Sequence, residues 1–342
     1  MPTDLSTRFR IRRGRIVPRS GLALLGAAAL WMAPRPAEAL IIVPTFTAGF
    51  VSAFGANAVA AENAWIAAAN VFQTNFSDNI HINITVNGVA GTGVFGQSNT
   101  FLGSLPYSSL RTAVVADAKT ADDMTSIGAG GSVAVTDPLT GTHTWWVTRA
   151  QAKALGLLTD DLSNDGTTTF GAGNPFTFSG AIAPGTYDFQ GVAAHEISEV
   201  MGRLGLMGAT IGNFTNSYDL ADLFTYSGAG VRGGSFAGGC HSTNDWFSID
   251  NGTTLLKKEN DYCANGLDVD DWAPGTNDSF NQFSNPNIVN AVTDVDLRNM
   301  DVLGYDRVFA TTTPEPSTLA LMVTGLVGIG ASGFSRRQKR RS

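Results

Sequence analysis

The sequence predicts a single α+β domain with a mixed sheet, and three observations support this prediction. Residues 40–306 combine short β-branched or alternating runs with segments whose apolar residues recur at helical spacing. They contain no internal repeat and no linker that would divide them. A hydrophobic fraction of 43% and 39 glycines without a collagen-like period are typical of a folded domain, here with long irregular loops in its C-terminal half.

The N-terminal half of the domain contains most of the predicted regular structure. A β-branched run covers residues 40–46, and apolar residues at helical spacing predict a helix over 56–72. Residues 80–86 alternate strictly between apolar and polar types, which predicts a half-buried strand with His81 on its polar face. The further predicted elements are a helix over 108–122 and strands over 143–147 and 167–170.

Two elements are predicted near the C-terminal end of the domain. Residues 246–249 and 253–256 flank the turn dipeptide Asn251-Gly252, which predicts a hairpin. A capping-box-like start followed by apolar residues predicts a structural helix over 293–304.

Charge is distributed unevenly along the chain. The whole chain has a net charge of -7, but residues 40–313 hold 10 of the 22 basic and 26 of the 29 acidic residues. Such an acidic domain would be repelled by a polyphosphate backbone and by an anionic lipid surface. We therefore expect no nucleic-acid partner.

The first 39 residues predict a signal peptide. An arginine-rich start precedes an apolar run over 21–33, and residues 37–39 supply the small side chains that signal peptidase accepts. The apolar run is short for a permanent anchor. Arg12-Arg13 could belong to a twin-arginine signal, but its surroundings match poorly, so general secretion is favoured.

Residues 314–342 carry three features in a fixed order. These are the motif Pro314-Glu315-Pro316, an uncharged apolar stretch over 318–334 and a basic end. The arrangement resembles the PEP-CTERM sorting signal of Gram-negative bacteria. The resemblance implies a transient membrane tether at the inner membrane, cleavage near the motif by an exosortase, and delivery to the cell surface or the medium. An ordinary single-span anchor is the alternative.

Cys240 and Cys263 are the two cysteines of the chain. In an oxidising compartment they are expected to form a disulfide, worth about 3 kcal/mol for a loop of roughly two dozen residues. No His-plus-acid signature of a cysteine enzyme surrounds either residue.

Residues 187–205 carry the chemistry. An apolar stripe at 3.6-residue spacing, with Asp188 as the N-cap, predicts an amphipathic helix. His195 and Glu199 are four residues apart, so both can reach one metal ion from a face away from the stripe. In hydrolases with the His-Glu-x-x-His motif, two ligands of this spacing hold zinc and the adjacent acid, here Glu196, acts as general base.

The second histidine of that motif is replaced by Glu199 in this chain. A carboxylate oxygen is an acceptable zinc ligand, so the replacement does not exclude a metal site. It does add negative charge, which should make a metal-bound water less acidic than at an all-histidine site. Ordinary charge patterning on a helix surface is the alternative explanation.

The segment Phe189–Arg203 resembles the active-site helix of PEP-CTERM-associated bacterial metalloproteases, which are relatives of the zincins. The resemblance continues through segments around Asp222, Trp246, Asp271 and Met300, and so covers most of residues 40–306. It implies a zincin-like, metzincin-related domain with a mixed sheet and an active-site helix. Gly202 matches the metzincin glycine, whereas the positions of the second and third histidines hold Glu199 and Gly205.

A third metal ligand must come from outside this helix. Asp222 is favoured, because apolar neighbours suggest a partly buried carboxylate that needs a charge partner. His241 and Asp219 are alternatives, as is the absence of a third ligand. A helix cap or a salt bridge with an arginine would be the structural explanation of Asp222.

The acids of a second cluster lie in the C-terminal loops. They are Asp268, Asp270, Asp271 and Asp278. They are rich in oxygen but lack the glycine and terminal glutamate of an EF-hand, so calcium is an alternative to a solvated loop.

The sequence therefore predicts an exported metallopeptidase that acts on a protein or peptide. Zinc is the expected metal, with another divalent ion as the alternative, held by His195, Glu199 and Asp222. Glu196 would be the general base and later the proton donor. Two other classes stay open. One is a catalytically degenerate zincin that acts as a surface or extracellular-matrix binding protein, and the other is a hydrolase of a non-peptide amide or ester.

Overall fold

The fold is known from a computed structural model. The described residues are 39–233, 244–265, 268 and 270–309. The predicted signal peptide up to residue 38 and the C-terminal sorting signal lie outside them. So do His241, Cys240 and the side chain of Cys263, and with them the predicted disulfide. Over the described ranges, no helix is both long enough and apolar enough to cross a membrane.

Short strands and helices alternate along the described chain. In order they are β1 (Ile41–Phe46), α1 (Ala48–Phe54), α2 (Ala58–Asn75), β2 (His81–Val89), β3 (Gly96–Thr100), β4 (Leu102–Leu105), α3 (Tyr107–Asp117), α4 (Ala121–Ile127), β5 (Thr144–Thr148), α5 (Arg149–Ala154), β6 (Gly166–Gly171), β7 (Phe176–Thr177), β8 (Tyr187–Asp188), α6 (Phe189–Val200), β9 (Ala209–Ile211), β10 (Phe214–Asp219), β11 (Thr225–Gly228), β12 (Val231–Arg232), β13 (Trp246–Phe247), β14 (Lys257–Lys258), α7 (Tyr262–Asn265) and α8 (Asp294–Val302). Short 3₁₀ turns cover Gly55–Asn57 and Ala221–Phe224.

The described strands form several sheets, two of which are mixed. They pair in the orders β1-β2-β6-β3, β4-β5-β10-β9, β12-β11-β13-β14 and β7-β8. In the first sheet β1, β2 and β6 are parallel, and β3 is an antiparallel edge strand. Parallel neighbours need a crossover, which α1 and α2 provide between β1 and β2. The predicted combination of helices with a mixed sheet is confirmed.

The core lies between the first sheet and helices α2 and α6. Ile82, Ile84 and Val86 of β2 are buried, which confirms the predicted half-buried strand. The indole of Trp65 on α2 donates to Thr168 Oγ1 on β6 at 3.2 Å and ties helix to sheet. Helix α6 packs against both α2 and the edge strand β3. Helix α6 therefore runs along the edge strand of the first sheet.

Helix α6 is buried on nearly every side. Asp188 is its N-cap as predicted, and its carboxylate accepts from Gln190 N at 3.1 Å. The predicted helix is present and packs on the core, and its acidic side chains are buried as well, because Glu196 and Glu199 are only 5% and 9% exposed. The C-terminal loops cover the polar face of the helix, and Asn290 packs so closely on Gly191 that any side chain there would clash.

The predicted helix over 108–122 is two helices. Helix α3 ends at Asp117, and α4 begins after Thr120. The Thr120 hydroxyl accepts from Asp123 N at 3.0 Å, and the Asp123 carboxylate accepts from Thr120 N at 2.9 Å. This reciprocal capping box starts a new helix where the apolar pattern alone suggests continuity.

The predicted C-terminal hairpin is present with a different second strand. Strand β13 pairs with β14, which begins after the predicted 253–256 segment. Asn251 and Gly252 both adopt positive φ, as a tight turn requires. The turn is wider than predicted because the Asp250 carboxylate accepts from Thr254 N at 2.7 Å and holds the next residues out of the strand.

Residues 305–308, near the end of the described chain, are hydrogen-bonded to the connection between α2 and β2. Ser77 N donates to Asp306 O at 2.9 Å, and Asp306 N donates to Asp78 Oδ2 at 3.0 Å. The Lys119 ammonium donates to the Asp306 carboxylate. Burial, with the charge of Asp306, raises the pKa of Asp78 to about 7. The carboxyl group of Asp78, which titrates near neutral pH, therefore holds the end of the domain in place through its hydrogen bond from Asp306 N.

Replacing Asp78 by asparagine should make the free energy of unfolding less sensitive to a rise in pH through the range in which Asp78 titrates. With a raised pKa the folded protein binds more protons than the unfolded chain between about pH 4 and pH 7, so stability falls as pH rises through that window. Asparagine does not titrate, and its side-chain oxygen can still accept from Asp306 N. We expect a smaller loss of Tm between about pH 5 and pH 8 in Asp78→Asn than in the parent. Equal losses in thermal unfolding would contradict this role.

Candidate metal centre

His195, Glu199 and Asp271 bring three potential metal ligands together. One ligand atom from each lies within 4.8 Å of the other two, and no other such group of three occurs among the residues that the structure describes. His195 Nε2 is 3.2 Å from Glu199 Oε1 and 3.4 Å from Asp271 Oδ1. The predicted pairing of His195 and Glu199 across one helical turn is therefore present in the structure.

The orientation of the His195 ring is set by its other nitrogen. Nδ1 lies 2.8 Å from the carbonyl oxygen of Ser279, which can only accept, so Nδ1 carries a proton and donates. Nε2 then faces two carboxylate oxygens. An unprotonated nitrogen against two anions needs a positive charge between them, which either a proton or a metal ion can supply. Hydrogen bonding of the remote nitrogen to a carbonyl is also how metal-ligating histidines are commonly oriented.

Electrostatics favour a cation at this point. Burial opposes protonation of His195, but the charges of Asp271 and Glu199 outweigh it and raise the pKa of His195 to about 10. Burial also opposes ionisation of Glu199, yet its hydrogen bond to His195 lowers the pKa of Glu199 to about 2. Without a bound metal ion, these pKa shifts favour an imidazolium at His195 beside an ionised Glu199.

The donor atoms fit a small divalent ion. Zinc binds nitrogen and oxygen ligands at about 2.0–2.2 Å in a tetrahedron, which places neighbouring ligand atoms about 3.3–3.6 Å apart. Of the two separations, 3.2 Å lies just below that range and 3.4 Å lies within it. One imidazole and two carboxylates are also a donor set that zinc accepts.

Asp271 reaches the helix because the loop after β14 folds back on itself. Trp272 N donates to Phe280 O at 2.9 Å, which places Asp271 near Ser279. The buried indole of Trp272 donates to Asp296 Oδ1, at the N-terminus of α8, at 2.6 Å. The same loop therefore supplies the third candidate ligand and the carbonyl that orients His195.

A buried arginine adjoins the centre. Arg203 NH1 donates to Asp271 Oδ1 at 2.6 Å, and its Nε donates to Ser198 Oγ at 2.8 Å. Its NH2 lies 3.7 Å from Glu199 Oε1. The guanidinium stacks 4.5 Å from the centroid of the Phe280 ring. Both carboxylates of the centre thus have a cationic neighbour within the protein.

Glu196 lies beside the centre and faces the edge strand. A side-chain hydrogen bond joins it to Glu199, and burial together with the charge of Glu199 raises the pKa of Glu196 well above its usual range. A Cβ atom on Gly96 of β3 would come within 2.2 Å of Glu196 Oε1, so the strand passes directly over this carboxyl group. Ser98 of the same strand makes a hydrogen bond to Glu199.

The favoured third ligand of the sequence, Asp222, is not part of this group. Its carboxylate accepts from Met207 N at 3.0 Å and from Asp219 N at 2.8 Å. The alternative Asp219 accepts from Gly205 N at 3.1 Å. Both acids hold the turn at 221–224 against the chain that follows α6, which is a structural role, and His241 lies outside the described residues.

The four loop acids considered for calcium do not form one group. Asp278 accepts from Lys257 Nζ at 3.0 Å, and Asp271 binds Arg203. Asp271 entered the sequence argument only as one of those loop acids and as part of the resemblance. The signal that could have distinguished it is its neighbour Trp272, a large apolar residue that fixes an otherwise polar loop in the core.

Comparison with known proteins identifies the end of the chain. Residues 312–341 match the PEP-CTERM protein-sorting motif, which confirms the predicted sorting signal. The chain is therefore an exported, cell-surface-targeted protein that is processed by an exosortase. No significant match was found among curated proteins or among solved structures.

Replacing Asp271 by asparagine should weaken Zn²⁺ binding, whereas Asp222→Asn should leave it unchanged. Loss of a ligand should cost more than the roughly 10–100-fold in affinity that is typical of losing a group that only hydrogen-bonds to a ligand. Calorimetric titration of both purified variants with Zn²⁺ measures this, with thermal unfolding to confirm that each is folded. The opposite result, with only Asp222→Asn losing affinity, would restore the ligand set that the sequence favours.

Proposed function

We propose that this protein is an exported metal-dependent peptidase whose centre is His195, Glu199 and Asp271. The observation that carries the proposal is the direction of His195 Nε2, which is aimed at two carboxylate oxygens while Nδ1 is committed to Ser279 O. Zinc is the metal that this donor set fits best. The fold that we infer is zincin-like, since a buried helix with the His-Glu-x-x-Glu pattern lies along a mixed sheet.

Glu196 is the general base of the proposed reaction. A divalent ion bound at this centre would polarise the scissile carbonyl, activate a water and lower the pKa of Glu196 by its charge. Glu196 lies next to Glu199 in the hydrogen-bonded pair, so its carboxylate is positioned to take a proton from the attacking water. It would then return that proton to the leaving amine.

Strand β3 supports a peptide as the substrate. It is the last strand of its sheet, and Gly96 and Ser98 contact the two glutamates of α6. An edge strand can pair with an extended peptide through main-chain hydrogen bonds. A peptide paired in this way would lie across the proposed centre.

A second candidate function is a metal-free binding protein at the cell surface, and Arg203 is the observation that favours it. Its ion pair with Asp271, together with a protonated His195, would neutralise both carboxylates without any metal. Elemental analysis of the purified protein separates the two candidates, since only the peptidase contains a stoichiometric metal. Metal without cleavage of any protein would instead favour a hydrolase of a non-peptide amide or ester.

Replacing Glu196 by glutamine should abolish proteolysis and retain the metal. Glutamine keeps the shape of the side chain but cannot accept a proton, so casein hydrolysis should fall by about 10²–10⁴-fold. The assay is release of peptides from casein, with zinc content measured on the same samples. Casein cleavage at the parental rate would refute the role of Glu196.

Replacing Gly96 by alanine should lower activity through Glu196. The added methyl group would overlap Glu196 Oε1 and displace the carboxyl end of that flexible side chain, so we expect about tenfold slower casein hydrolysis at unchanged zinc content. Gly103→Ala in β4 is the matched control, because no atom lies within 4 Å of a Cβ built there. Equal rates for Gly96→Ala and Gly103→Ala would show that the approach of β3 to Glu196 does not matter.

A further inference from the structure

Arg203 is held in place by more contacts than an ordinary ion pair needs. Besides Asp271 Oδ1 and Ser198 Oγ, it donates to the backbone carbonyl of Asp270 at 3.0 Å. It is 1% exposed. Among the described residues its NH2 group finds no hydrogen-bond acceptor, and Glu199 Oε1 is 3.7 Å away. The guanidinium is therefore fixed with one end on Asp271 and the other directed at Glu199.

The guanidinium and a metal ion would act on the same oxygens. Asp271 Oδ1 is the atom that faces both Arg203 NH1 and His195 Nε2. Glu199 Oε1 is likewise the atom that faces both His195 Nε2 and Arg203 NH2. Two buried carboxylates this close together would repel each other if neither had a cationic partner. An arginine cannot lose its proton inside a protein, so its charge is permanent.

We propose that Arg203 is a built-in counter-ion of the metal centre. It keeps Glu199 and Asp271 in their ligand positions before a metal ion binds, and its positive charge lowers the affinity of the centre for that ion. This role rests on the proposed metal centre. It makes Arg203 a positioning residue, because it is buried behind the carboxylates and contacts no substrate. It also accounts for the carboxylate in place of the second histidine, since the added negative charge is offset by one positive charge.

Two measurable properties follow from this role. The domain should fold without metal, unlike sites in which metal binding supplies the folding free energy. Removal of the guanidinium should raise the affinity for Zn²⁺, because a repelling charge near the ion is lost and the ion itself can then hold the two carboxylates together, so the lost repulsion outweighs the lost positioning. If Arg203 had a purely structural role, its removal would instead lower the affinity for Zn²⁺ or leave it unchanged.

The test compares the parent protein with Arg203→Met, which removes the charge and keeps the bulk of the side chain. Arg298→Met is the matched control, since Arg298 also binds a carboxylate, Asp122, with two hydrogen bonds. Thermal unfolding is recorded after chelation and with Zn²⁺, and Zn²⁺ affinity is measured by calorimetry on the full chain. We expect cooperative unfolding of the chelated parent, at least about tenfold tighter Zn²⁺ binding by Arg203→Met, and unchanged affinity in Arg298→Met.

The outcomes separate this role from the proposed function. A parent that binds no Zn²⁺ overturns the metal centre and the role of Arg203 with it. A parent that binds Zn²⁺ while Arg203→Met binds it no more tightly, or a chelated parent that is unfolded, overturns the role of Arg203 alone. Should Arg203→Met not fold, Arg203→Lys decides, because lysine keeps the charge. Its Zn²⁺ affinity should stay within about threefold of the parent, and a tenfold change in either direction overturns the proposal.

Discussion

The candidate centre depends on one hydrogen bond between a side chain and the backbone. The carbonyl of Ser279 can only accept, so it fixes the proton of His195 on Nδ1 and turns Nε2 toward Glu199 and Asp271. In a buried site two carboxylates facing an imidazole nitrogen are stable only with positive charge among them. A protonated His195, favoured by its raised pKa, and the guanidinium of Arg203 both supply this positive charge, and a bound divalent ion would supply it as well.

The surrounding fold increases the need for positive charge at the centre, because it keeps water away from the acidic side chains. Helix α6 is enclosed by α2, by the edge strand β3 and by the C-terminal loops, so its acids have little access to water. Water would otherwise screen the charges of Glu196 and Glu199 and leave their pKa values near the usual range. In the buried site the two pKa values move apart instead: that of Glu196 is raised, which favours its protonated form, and that of Glu199 is lowered, which favours its ionised form. Two neighbouring carboxyl groups with separated pKa values, here Glu196 and Glu199 beside the edge strand β3, are a feature expected of a hydrolytic site.

Local patterns explain which parts of the site could be predicted. The spacing of His195 and Glu199 follows from helical periodicity, which is encoded within a few neighbouring residues. Helix α6, its N-cap and strand β2 were predictable for the same reason. The break between α3 and α4 was missed because the capping box of Thr120 competes with a continuous apolar pattern. Asp271 was missed as a candidate ligand because it lies in a loop without periodicity, 72 positions after Glu199 in the chain.

The sequence by itself determined the sorting signal at the C-terminal end, the acidic character of the domain and the pair of potential ligands on one helix, since each of these depends on composition or on short-range spacing. Only the tertiary structure decided which acid joins that pair. Asp222 and Asp271 are both buried acids with apolar neighbours, and they differ in what packs around them: backbone amides satisfy the first, whereas Trp272 directs the second toward His195 and Arg203. Long-range packing makes that choice, because it depends on loops that fold back over α6 and not on any local preference of the chain.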